Sequence, residues 1–142
     1  MSAHLFSHRL PPTANAAMAS HRELRQAMGA LRVPALYASS PPEGHAFWGL
    51  LRDAVARLEA ALLRHLHHED DMHAMPENLR AELASQHMRL VVKTSCLGLV
   101  VERLAPGDEQ GWQAMRSAAG RLLATLERHL DFENLLRTST SA

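Results

Sequence analysis

Four stretches of this sequence set apolar residues at alternating intervals of three and four, and prolines stand between the stretches. That spacing keeps one face of a helix apolar along its length. Four such faces bury most readily against one another. The first stretch, about residues 13–32, follows Pro11 and Pro12 and carries Ala14, Ala17, His21, Leu24, Met28 and Leu31. Pro34, Pro41 and Pro42 break helix after it, and Val33 to Ser40 is expected to climb beside the bundle as extended chain. Ser40-Pro41-Pro42-Glu43 reads as a capping box with proline at the first helical position.

The second stretch, about 41–75, carries Phe47, Leu51, Ala54, Leu58, Leu62, His65, Glu69 and Met72. Pro76 stops it and can open the third, about 76–105, with Leu79, Leu83, His87, Leu90, Thr94, Leu97, Val101 and Leu104. Pro106-Gly107-Asp108 is a turn whose Asp108 can cap the fourth, about 108–138. That last stretch carries Trp112, Met115, Ala119, Leu122, Leu126, His129, Glu133 and Leu136.

Short connections between long helices predict an all-α, up-down-up-down antiparallel four-helix bundle. A single domain over 1–142 is expected, a length that buries a core without disulfides. The sole cysteine, Cys96, excludes an internal disulfide and a thiolate cluster; its place beside the third seam predicts a buried, inert thiol. Zero net charge offers neither a basic stripe for nucleic acid nor an acidic tail. Residues 1–12 lack a secretory h-region, and the longest apolar run, 95–101, is too short to span a bilayer. A cytoplasmic, membrane-free protein is the expectation.

Six seam positions carry histidine or glutamate: His21, His65, Glu69, His87, His129 and Glu133. Helices 2 and 4 each carry His-x-x-x-Glu, and residues at i and i+4 stack on one helix face. Pro76 lies eleven residues from both His65 and His87, so a turn there brings these two to one level. The turn at 106–108 does the same for His87 and His129. The chain thus reads as two copies of a His…His-x-x-x-Glu hairpin about a pseudo-twofold axis. An ionised glutamate in an apolar core costs several kcal/mol if unpaired, and no Lys or Arg shares the seam at this depth. A metal pair answers the charge, and glutamates with histidines suit iron, manganese or zinc.

The other histidines read differently. His4, His8, His45 and His67 are expected in solvent, whereas His68 and His73 flank the seam in range of a supporting or substitute-ligand role. Met18, Met28, Met72 and Met115 are read as core filling, and Trp48 and Trp112 as caps on the far end of the core.

Leu63-Arg64-His65-Leu66-His67-His68-Glu69-Asp70 and Leu126-Glu127-Arg128-His129-Leu130-Asp131-Phe132-Glu133, with Ser20-His21-Arg22 and Gln86-His87-Met88, resemble the hemerythrin-like HHE cation-binding domain over about 14–136. Ferritin-like bundles carry Glu-x-x-His instead. The resemblance implies an oxo- or hydroxo-bridged di-iron centre. His21, His65, His87 and His129 would be terminal ligands, and Glu69 and Glu133 would bridge. Leu83 stands where oxygen-carrying hemerythrins have a further histidine, and the last motif ends in Glu133 rather than an aspartate one residue later. Both departures set the chain apart from those carriers.

The implied function is binding of oxygen or a related small molecule in sensing, storage or the iron and oxidative-stress response, with a protein partner to receive any signal. A redox enzyme acting on peroxide or nitric oxide, or an iron donor for cluster repair, is the alternative. A metal-free helical interaction module is the third.

Overall fold

A computed structural model describes residues 12–37, 45–69 and 76–140, with side chains described over 19–37, 46–67 and 76–136. Four helices follow in order: α1 (Pro12–Leu36), α2 (His45–Glu69), α3 (Glu77–Arg103) and α4 (Glu109–Thr140). Each packs against its two neighbours, α1 on α2, α2 on α3, α3 on α4 and α4 on α1, whereas the diagonal helices α2 and α4 meet through side chains such as His65 with Glu133 and Trp48 with Trp112. The ring therefore closes with chain neighbours side by side, and the contacts along it make the bundle antiparallel. Near one end Ser20 meets His65 and His21 meets Glu133. Near the other, Trp48 stacks edge-on against Trp112, with ring centroids 5.8 Å apart.

The seams form the core. Leu24, Leu31, Leu51, Leu58, Leu126 and Met115 are fully buried, each such side chain being worth roughly 1.5–3 kcal/mol of burial. The buried face is wider than the seam: Ala27, Ala61, Leu123 and Leu130 join it from flanking positions. A globular bundle helix needs that broader stripe. Trp48 and Trp112 meet at the far end as expected, and Phe47 joins them in an aromatic cluster.

The helix ends show how local chemistry yields to packing. Helix α1 does not stop at Arg32. It runs through Pro34 to Leu36, and Tyr37 N–H still donates to the Val33 carbonyl at 3.1 Å. An interior proline costs about 3 kcal/mol. Here that cost is offset because Pro34 and Ala35 are buried and Arg116 Nη2 donates to the Leu36 carbonyl at 3.2 Å. A cation at a helix C-terminus also meets the negative end of its dipole.

Helix α2 is described only from His45 to Glu69, so the expected capping box at 40–43 and the expected last turns of α2 lie outside the described residues. Pro76 is the cap of α3 rather than its first helical residue, at φ −55° and ψ 148°. The turn before α4 is as expected. Gly107 sits at φ 84°, where a Cβ would strain the backbone, and Asp108 Oδ1 accepts from Gly111 N–H at 2.9 Å as an N-cap.

Cys96 corrects an expectation: it is exposed, not buried. At ~100° per residue it is turned off the face that buries Thr94 and Leu97. No described helix is long and apolar enough to cross a membrane.

Candidate metal centre

Seam spacing and the positions of the turns together bring polar side chains to one level of the bundle. Helix α4 aims His129 and Glu133 from successive turns of one face, α1 contributes His21, α2 His65 and α3 His87. His21, His65, His129 and Glu133 are all buried and His87 is half-buried. The four imidazoles form a chain across the bundle. Ring centroids are 4.7 Å apart for His21 and His65, 5.9 Å for His65 and His129, and 5.1 Å for His129 and His87.

Glu133 lies at the middle of that chain. Its Oε2 is 2.7 Å from His21 Nε2, and its Oε1 is 2.9 Å from His65 Nε2. Oε1 also contacts His129 Nε2 one turn back on α4. Two sets of donor atoms result, His21 with His65 and Glu133, and His87 with His129 and Glu133. Within each set the atoms lie within 4.8 Å of one another. Glu133 is common to both. Glu69 is the last described residue of α2, one turn beyond His65, and its side chain lies outside the described residues, as does that of His68. His4, His8 and His73 also lie outside them, as does the side chain of His45, and His67 is exposed.

Two residues that seam counting passes over hold the outer nitrogens of the rings. Ser20 Oγ is 3.1 Å from His65 Nδ1, and His129 Nδ1–H donates to Gln86 Oε1 at 2.8 Å. Each stands one residue before a seam histidine, Ser20 before His21 and Gln86 before His87. Each reaches the second helix of its own hairpin, so the pseudo-twofold relation extends beyond the seam. A polar residue immediately before a seam histidine in both hairpins was the available signal.

The donor chemistry fits a metal. His129 donates its Nδ1–H to Gln86 and turns Nε2 toward Glu133 Oε1, and in the neutral tautomer that nitrogen carries a lone pair. A lone pair facing a carboxylate oxygen is repulsive unless a cation lies between them. Imidazole nitrogen and carboxylate oxygen together suit iron, manganese or zinc. Partners on the outer nitrogen are a usual feature of metal-ligating histidine, because they fix the tautomer and the ring orientation.

The family model of the hemerythrin HHE cation-binding domain matches residues 14–136. The chain belongs to the hemerythrin family. No curated protein and no solved structure matches it. The match spans all four helices and includes every residue of the histidine and glutamate cluster. As a hemerythrin-family domain with these donor groups, the chain is a cation-binding protein. Leu83, one turn before His87, is buried as a core side chain of α3.

Proposed function

We propose that this hemerythrin-family chain holds a non-haem di-iron pair and binds oxygen or a related small molecule in sensing, storage or the iron and oxidative-stress response. His21, His65, His87 and His129 would be the terminal ligands, with Glu133 and Glu69 bridging. The reading rests on one observation above all: both donor sets include the Glu133 carboxylate. A carboxylate facing two sets of imidazoles is what a pair of ions needs, whereas one ion would leave the second set without purpose.

When bound, the iron pair supplies open coordination positions and redox chemistry at the core of the bundle. The chain supplies the rest. Ser20 and Gln86 orient the His65 and His129 rings. Leu24, Leu62, Leu90, Leu126 and Leu130, each within one turn of a cluster histidine on its own helix, are buried apolar side chains. Apolar surroundings of that kind control what reaches a metal and strengthen the interactions within the site. A signal from such a site would pass to a protein partner.

The test is metal analysis of protein purified after iron-replete growth, with an absorption spectrum of the oxidised form. About two iron ions per chain with iron charge-transfer bands are expected. A well-folded product that carries no metal would sink the proposal, and one ion per chain would reduce it to a mononuclear site.

A further inference from the structure

Between α3 and α4, beside the histidine cluster, lies a cleft of about 370 Å³. Its apolar lining includes Leu90 and Phe132, and His129 forms part of its wall. Arg89 and Lys93 enter it from α3 and Arg128 from α4.

The cations are held in an unusual way. Lys93 Nζ and Arg128 Nη2, on opposite helices, each donate to Thr125 Oγ1 at 3.3 Å. The Thr125 hydroxyl itself donates to the Arg121 carbonyl at 2.8 Å. Two positive groups therefore converge on one neutral oxygen. Arg89 Nη2 likewise donates to a neutral group, Ser85 Oγ, at 3.2 Å. Among the described residues none of the three forms an ion pair. Glu82, the one carboxylate of the cleft among the described residues, accepts from Gln86 Nε2 at 3.2 Å. Three cations thus face one acid. Like charges drawn to one atom repel, and an anion set between them would relieve the repulsion.

We propose that this cleft binds a small organic oxyanion. Its carboxylate or phosphate group would be held by Lys93 and Arg128, with Arg89 at the rim and the body of the molecule against Leu90 and Phe132. The volume falls within the range of ligand pockets, ~300–1,000 Å³, and exceeds what a bare inorganic ion fills. Gln86 lines the same cleft and accepts from His129 Nδ1, so the ligand would lie one side chain from the histidine cluster. The inference stands on protein groups alone and does not require the di-iron reading.

The test is calorimetric titration of the full chain with inorganic phosphate and, separately, with butyrate, against sodium chloride at matched ionic strength. The same titrations are run on the double variant Lys93→Gln/Arg128→Gln. Both residues are exposed, so the double variant should keep the parent's circular dichroism and metal content. Arg128→Gln alone serves if the double variant does not fold.

Saturable binding of at least one probe is expected, weakened by about tenfold or more in the variant because charge-assisted hydrogen bonds are lost. Preference for phosphate or for butyrate would identify the headgroup. Equal binding by parent and variant would place the anion elsewhere, on the metal included, and overturn the proposal. Absence of saturable binding of either probe would overturn it too.

Discussion

Gln86 Oε1 accepts a hydrogen bond from His129 Nδ1–H at 2.8 Å, across 43 residues of sequence. The other hairpin has the matching pair: Ser20 Oγ lies 3.1 Å from His65 Nδ1, across 45 residues. The two hairpins thus share not only their seam histidines but also the residue that steadies the second ring. They differ in its chemistry, a carboxamide in one and a hydroxyl in the other.

On the proposed ligand assignment, Gln86→Leu should weaken metal binding by roughly 10–100-fold, the usual effect of removing an outer partner of a ligating histidine. Ser20→Ala should act in the same direction on the His65 side. Affinity measured by chelator competition checks both. An unchanged affinity in both variants, with the fold intact, would show that these contacts do not support a metal ligand.

Glu133 belongs to both donor sets, whereas His21 and His87 each belong to one. Glu133→Ala should therefore remove more metal than His21→Ala or His87→Ala, and His67→Ala, at an exposed position, should remove none. Metal per chain by mass spectrometry gives the ranking. The same metal content in all four variants would contradict a shared carboxylate.

Metal removal should lower the melting temperature. An ion that binds only the folded chain stabilises it by RT ln(1 + [L]/Kd), about 4 kcal/mol at a thousandfold excess over Kd. Calorimetric scans of the metal-loaded and chelator-treated protein at one pH measure the difference. A treated protein that melts as high as the loaded one would mean that the buried histidines and Glu133 are satisfied by each other.

The exposed pair between Arg64 on α2 and Glu23 on α1 provides a contrast. The hydrogen bond that Arg64 donates to Glu23 holds the guanidinium above its ordinary pKa, with the Glu23 charge acting in the same direction and desolvation opposing. With the folded value raised, the contribution is fully present below arginine's usual pKa and is lost only as pH rises through the higher folded value. Arg64→Gln should therefore change the melting temperature slightly, and equally at about pH 6 and about pH 8. The change should shrink further in high salt. A large loss, or one that tracks pH across that interval, would show a role beyond an exposed ion pair.

The repeating three-and-four spacing fixed most of what this chain could become. It placed His21, His65, His129 and Glu133 on buried faces, because a helix converts sequence interval into angle with no help from tertiary contacts. Equal distances from Pro76, and nearly equal ones from the 106–108 turn, put His65, His87 and His129 near one depth for the same reason.

Tertiary structure decided the rest. Pro34 reads locally as a helix breaker, yet α1 passes through it, since burial of Pro34 and Ala35 and the Arg116 bond to the Leu36 carbonyl outweigh the backbone cost. Cys96 reads as a buried thiol from its place beside the third seam but is exposed, because how far the buried stripe extends past the seam on each side depends on how the neighbouring helices pack. Ser20 and Gln86 found their histidines only when the hairpins closed, and Lys93 and Arg128 met at Thr125 only when α3 lay against α4. Contacts of that kind depend on the distance and rotation between two helices, which a periodic pattern along one helix does not encode.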